Sequence, residues 1–112
     1  AIPGGFVDVN ERIEDAVFRE LFEETNLKVP EKVLRHSVVA SRVFDRPDRS
    51  LRGRTITHAY LMKLDDALDL PKVRAGDDAW LARWIPFSEV KNMRSQMFED
   101  HFLILLSMVG KL

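Results

Sequence analysis

At 112 residues and a net charge of −1, the chain is one domain at most, and it lacks the basic excess of a general nucleic-acid binder. Its 46% apolar content is ordinary for a globular protein, and the absence of cysteine excludes disulfides, thiolate catalysis and a cysteine-based zinc site. No apolar run approaches the ~20 residues of a membrane span, and no signal peptide is visible; a reducing, cytoplasmic setting is compatible with this composition.

The stretch Ala1-Ile2-Pro3-Gly4-Gly5 lacks a Met and reads as the end of a strand entering a turn, so the chain is expected to be a fragment of a longer one. Gly4-Gly5 permits close backbone approach, and Phe6-Val7 reads as a short strand or bulge. Glu11 to Glu24 is the clearest helix. Ile13, Ala16, Val17 and Leu21 form its apolar stripe, widened by Phe18 and Phe22. On the same helix Glu20 and Glu24 share a face, Glu23 is the i+3 neighbour of Glu20, and Arg19 lies four residues before Glu23. Asn26 falls where a left-handed residue ends a helix, and Pro30 blocks continuation.

Lys32 to Phe44 reads as a strand with imperfect alternation. A polar loop from Asp45 to Gly53 joins it to the well-alternating Arg54 to Leu64, which predicts a hairpin. Asp65 to Asp78 is acidic and loop-like. Ala79 to Ile85 reads as a strand carrying Trp80 and Trp84, at least one of them in the core. Ser88 is placed to cap a short helix to Met93, and Met97 to Val109 reads as a helix with Phe98, Phe102, Leu105 and Leu106 inward. The order predicts an α/β/α layered domain.

Carboxylates one helical turn apart suit a hard divalent cation such as Mg²⁺, which takes oxygen ligands and keeps water. The competing reading of any single pair is a solvated acidic helix face. The spacing decides between them. Gly5, five residues, Glu11, seven residues, Arg19-Glu20-Leu21, one residue, Glu23-Glu24, one residue and Asn26-Leu27 resembles the Nudix box, departing from it only in Asn26 for the final Gly.

The resemblance covers 1–112 as one Nudix hydrolase domain. It implies a Nudix fold, an α/β/α sandwich around a mixed sheet, here without its N-terminal strands. It implies Mg²⁺, with Mn²⁺ as a substitute, held by Glu20, Glu24, Glu23 and the Gly5 carbonyl. Glu24, Glu23 and Arg19 become the catalytic candidates, with Arg19 orienting the carboxylates and Glu11 in an outer-shell role. The general base is Glu24 or one of Asp77, Asp78, Glu89 and Glu99.

Arg42, Arg46, Arg49, Arg52 and Arg54 cluster in and beside the hairpin loop, and Arg suits phosphate bidentately. This loop and the following Thr55-Ile56-Thr57-His58-Ala59-Tyr60-Leu61 resemble ADP-ribose pyrophosphatases. They are more closely similar to the Nudix half of bifunctional nicotinamide-mononucleotide adenylyltransferase/Nudix hydrolases. The resemblance implies cleavage of ADP-ribose to AMP and ribose 5-phosphate. Arg49, Arg52 and Arg54 then contact phosphate or ribose, and Phe44 stacks on adenine or packs in the core. It also implies an N-terminal nucleotidylyltransferase domain in the parent chain and a homo-oligomer; the near-neutral charge and short apolar runs argue for no nucleic-acid and no membrane partner. Two alternatives keep the fold: an ADP-ribose-sensing module of a transcriptional regulator, and a hydrolase of another nucleoside diphosphate derivative. His58 reads as structural, His101 as packing on the last helix with a reach toward the cleft as the alternative, and His36 has no assigned role.

Overall fold

A computed structural model describes residues 2–48, 55–65, 70–74, 82–97 and 100–110. They fall into two compact units, Ile2–Ser37 with Leu64–Trp84, and Val38–Lys63 with Ile85–Leu112.

The first unit is built on helix α1, Ile13–Thr25. Glu14 and Asp15 in its first turn face the positive end of the helix dipole. Ala16 and Phe18 are buried and Phe18 is fully enclosed, whereas Ile13 is exposed, so the stripe buries less of its N-terminal end than its spacing predicts. The helix stops as expected. Asn26 takes the left-handed conformation, φ 49° and ψ 37°, and its amide donates to the Phe22 carbonyl at 2.9 Å. Its side-chain amide donates to the Arg74 carbonyl at 2.8 Å. Arg74 N–H donates to Thr25 O at 2.6 Å and Lys28 N–H to Lys72 O at 3.1 Å, which fastens residues 72–74 to the helix exit.

The strand expected from Lys32 begins only after a helix. Residues Glu31–His36 form α2, because Pro30 at φ −57° presets the entry and Glu31 suits the first turn. Leu34 is buried, and Ser37 closes the turn by donating through both its amide and its hydroxyl to the Leu34 carbonyl. From α2, Arg35 reaches Asp15 at 2.6 Å and lies over the Phe18 ring, 4.7 Å from its centroid.

Residues 2–9 form no strand. Their backbone groups are taken by side chains instead: Glu24 accepts from Gly4 N–H, Glu11 accepts from Asp8 N–H, and Arg19 donates to Phe6 O. Residues 82–85 of the expected Ala79 to Ile85 strand are likewise irregular, and residues 79–81, Trp80 among them, lie outside the described set. Trp84 is exposed rather than a core residue; its indole N–H donates to the Pro71 carbonyl at 2.7 Å.

The second unit holds the hairpin. Strand β1, Val38–Phe44, pairs antiparallel with β2, Thr57–Met62, from Val38 opposite Met62 to Phe44 opposite Thr57. The register shifts between Val38 and Ala40, a bulge that accounts for the imperfect alternation along β1. These are the two strands found among the described residues. Helix α3, Phe87–Val90, follows Pro86 and runs into a 3₁₀ turn, Lys91–Gln96. Ser88 lies inside α3 and caps nothing, because Pro86 already sets the entry. Helix α4, His101–Val109, packs on both strands. It buries Phe102, Ile104 and Met108, while Leu106, expected inward, is exposed; Phe98 lies outside the described residues.

The Asn26 exit makes an ordered prediction. Asn26→Ala places a β-carbon-bearing residue without a side-chain amide in the left-handed region and should cost about 1–2 kcal/mol. Asn26→Gly relaxes the backbone and loses only the Arg74 bond, so it should stay within about 1 kcal/mol of the parent. Urea denaturation midpoints, with Ala below Gly, check the order.

Candidate functional site

Helix α1 turns Arg19, Glu20, Glu23 and Glu24 toward the preceding loop, and Arg19 organises them. Its Nε donates to Glu11 Oε2 at 2.8 Å and its Nη2 to Glu11 Oε1 at 3.0 Å, a two-pronged fork. Nη1 donates to Glu20 Oε1 at 2.8 Å and to Glu23 Oε2 at 3.3 Å, and Nη2 also donates to the Phe6 carbonyl at 3.0 Å. Asp8 adds a carboxylate oxygen 3.5 Å from Nε. The expected Arg19–Glu23 contact is therefore present, but it is longer than the bonds to Glu11 and Glu20. Glu11 is the hinge of the loop, since Oε1 also accepts the Asp8 amide at 2.9 Å.

These bonds set the charge states. The Arg19 guanidinium, followed by the Asp8 N–H, holds the Glu11 carboxyl below the usual carboxylate range. Arg19 is pushed well above the ordinary arginine value by its bonds to Glu11 and Glu20. Glu24 moves the other way. Burial raises it most, and the nearby charges of Glu20 and Glu23 add to that, against the Gly4 N–H bond at 2.9 Å.

Gly5 is explained by contact rather than by conformation. A β-carbon there would lie 2.3 Å from Glu20 Cδ, so the Glu20 carboxylate occupies space that only glycine leaves open. That close approach brings the Glu20 oxygens beside the Gly5 backbone, whose carbonyl is a fellow oxygen donor. Carboxylates and a carbonyl are the donors a hard divalent cation takes, and an added positive charge would relieve the repulsion around Glu24. Among the described residues no three Asp, Glu or His side chains are gathered closely enough to enclose an ion, since Arg19 draws Glu20 and Glu23 to itself.

Of the other candidates, Arg42 on β1 stacks over Phe44, 5.1 Å from the ring centroid, and donates to the Ser107 hydroxyl; Phe44 is half-buried at the strand end. Arg46 faces Asp48 at 3.4 Å. Arg49, Arg52, Arg54, Asp77, Asp78 and Glu99 lie outside the described residues. Glu89 is exposed on α3, and His36 and His58 are exposed. The Gly4 N–H and Asp8 were not singled out by spacing; the paired glycines and the acid before Glu11 were the signals for them.

The NUDIX domain family pattern matches residues 1–106, and the chain belongs to the Nudix family. It is 34% identical over 104 residues to an ADP-ribose pyrophosphatase of Methanocaldococcus jannaschii, covering 93% of this chain and 54% of that protein. A crystal structure of a bifunctional NMN adenylyltransferase/ADP ribose pyrophosphatase from Francisella tularensis, complexed with AMP and an Mn ion, superposes with a TM-score of 0.94 at 43% identity. It covers 99% of this chain and 33% of that one. A second structure of the Francisella tularensis protein gives a TM-score of 0.90 at 42% identity, over 95% of this chain and 31% of that one. The chain thus spans about half the length of the curated relative and a third of the bifunctional proteins. The Nudix fold, in the α/β class, is shared.

Glu11 gives a pH-dependent prediction. Its carboxyl is depressed in the folded chain, so its stabilisation is present above the unfolded value of about 4.3 and is lost as pH falls through the lower folded value. Glu11→Gln should be less stable than the parent near neutral pH, with the difference shrinking as pH drops below about 4. Urea midpoints for both proteins across that range test it; a pH-independent difference would contradict the ion pair.

Proposed function

We propose that the chain hydrolyses the diphosphate of ADP-ribose to AMP and ribose 5-phosphate with Mg²⁺, for which Mn²⁺ substitutes. The observation that carries this reading is the Arg19-centred carboxylate set on α1, with Glu24 held by a backbone amide rather than by the guanidinium. The names of the relatives support ADP-ribose as the substrate, and the AMP and Mn ion in the Francisella tularensis complex agree with that chemistry.

Glu20, Glu23, Glu24 and the Gly5 carbonyl would hold the cation. Once bound, it would neutralise diphosphate oxygens and acidify water. Arg19 fixes the orientation of Glu20 and Glu23 and ties the Gly5-bearing loop to the helix through Glu11 and Phe6. Glu24, its carboxyl raised by burial, is the chain's best described proton acceptor. In hydrolysis an oxygen–phosphorus bond forms from water, the bridging phosphorus–oxygen bond breaks, and Glu24 takes the water proton. Arg49, Arg52 and Arg54 are assigned to the phosphate and ribose groups on the arginine content of the loop.

In its parent protein the chain is assigned to the Nudix half of a bifunctional enzyme with a nucleotidylyltransferase domain. The 43% identity to such a protein and the one-third share of its length support this. No helix among the described residues is long and apolar enough to cross a membrane.

Two measurements test the reading. Glu24→Gln should cut Mg²⁺-dependent AMP release from ADP-ribose by about 10²–10⁴-fold; retained turnover would remove the carboxylate set from the chemistry. Arg52→Ala should raise KM for ADP-ribose with little change in kcat or in the thermal melt, and an unchanged KM would remove Arg52 from the substrate contacts.

A further inference from the structure

At the exit of α1 the first unit carries a second charged surface, of the opposite sign. Residues 25–28 run beside residues 72–74: Lys28 N–H donates to Lys72 O at 3.1 Å and Arg74 N–H to Thr25 O at 2.6 Å. Leu27 is buried and Val73 half-buried, whereas Lys28, Lys72 and Arg74 are exposed, so the three cations share the solvent side of this pair. No carboxylate among the described residues forms an ion pair with any of them, while Arg19, Arg35 and Arg46 all face carboxylates. Like charges held side by side repel, and a multiply charged anion would relieve them.

The departure from the family spacing falls at this surface. Where the Nudix box ends in Gly this chain has Asn26, whose side-chain amide donates to the Arg74 carbonyl at 2.8 Å. A glycine would serve the left-handed exit equally well. What Asn adds is a third bond to residues 72–74, which fixes the Arg74 backbone through both its N–H and its C=O. The exposed guanidinium therefore stands on an anchored backbone, and less freedom is lost when it engages a ligand.

The carbonyl end of a helix is negative, and the last turn of α1 holds Glu23 and Glu24 without a basic residue. Two of its carbonyls are already answered, Phe22 O by the Asn26 N–H and Thr25 O by the Arg74 N–H, which blunts the repulsion of an anion. A planar guanidinium with two ammonium groups matches the several oxygens and the double charge of a phosphate. A single carboxylate would leave two of the cations unused.

We propose that Arg74, Lys72 and Lys28 bind a phosphate group at the α1 exit, with Asn26 as the residue that positions Arg74. The phosphate belongs either to the substrate of the reaction proposed above, an assignment that rests on that reading, or to a separate phosphate ligand.

The test is a phosphorus NMR titration of inorganic phosphate into the protein, with a chelator present and the ionic strength fixed. Saturable binding is expected. Arg74→Gln should weaken it about tenfold or more, and so should Lys72→Gln. Both side chains are exposed and both residues are held through their backbones, so the fold is spared. Asn26→Gly changes no charge and should still weaken binding severalfold, whereas Lys32→Gln, which removes an exposed cation of α2, should leave it intact. No saturable binding, an equal loss in Lys32→Gln, or full binding in Asn26→Gly would overturn the site. Mg²⁺-dependent kinetics with ADP-ribose then separate the two sources. A raised KM at unchanged kcat in Arg74→Gln assigns the phosphate to the substrate, and an unchanged KM assigns it to a separate ligand. An absence of hydrolysis in the parent would sink the proposed reaction and leave the phosphate titration to judge the site.

Discussion

The guanidinium of Arg19 is the constraint on which the α1 region depends. It spends its planar fork on Glu11, Glu20, Glu23 and the Phe6 carbonyl, and no lysine has the geometry to do so. The loop from Gly4 to Asn10 has no ladder of its own. It is held because Glu11 answers Arg19 on one side and the Asp8 amide on the other. The same arrangement leaves the region electrostatically incomplete. Asp8, Glu11, Glu20 and Glu23 share one cation, and Glu24 beside them is driven toward its neutral form. A site so charged favours an added positive ion, and the missing β-carbon of Gly5 leaves the Glu20 carboxylate room beside the backbone. Ion binding and the Arg19 bonds compete for Glu20 and Glu23, so the guanidinium limits how tightly those carboxylates are committed before a cation arrives.

The hairpin unit solves a different problem. Its bulge between Val38 and Ala40 resets the face on which later β1 residues point, and Phe44 reaches the strand end beside Arg42. Helix α4 then contributes Ser107 to hold Arg42 and Leu103 and Ile104 to line a cleft beside it. Acidic oxygen donors cluster on α1, and the hairpin end carries a mixed-charge rim of Arg42, Arg46, Asp45 and Asp48. Membership of the Nudix family fits the first directly.

Much of α1 was legible because its signals are local. The box spacing, the Asn26 exit and the strand signal in Arg54 to Leu64 each depend on residues a few positions apart; α1 ends at Asn26 as expected, and β2, Thr57–Met62, falls inside the expected segment, though its burial does not alternate. The misread segments share a cause. Lys32 to Phe44 read as one strand, but Pro30 presets a helical entry over its first residues and Leu34 has a buried place there. Residues 2–9 and 82–85 carry strand-like composition without strand pairing. Side chains from α1 take the backbone groups of the first, and the second is anchored through the Trp84 indole.

The sequence by itself determined the chemistry on offer: the carboxylates, the guanidinium, the glycine and the family pattern that spaces them. Helical periodicity alone puts Arg19, Glu20, Glu23 and Glu24 within one turn or so of each other. Only the tertiary structure decided how that charge is shared. Glu11 rather than Glu23 takes the fork, Gly4 supports Glu24 through its amide, and Gly5 matters for the space it leaves. Hydrogen-bond partners eight to twenty residues apart are chosen by how the loop folds back on the helix, and no periodicity encodes that return.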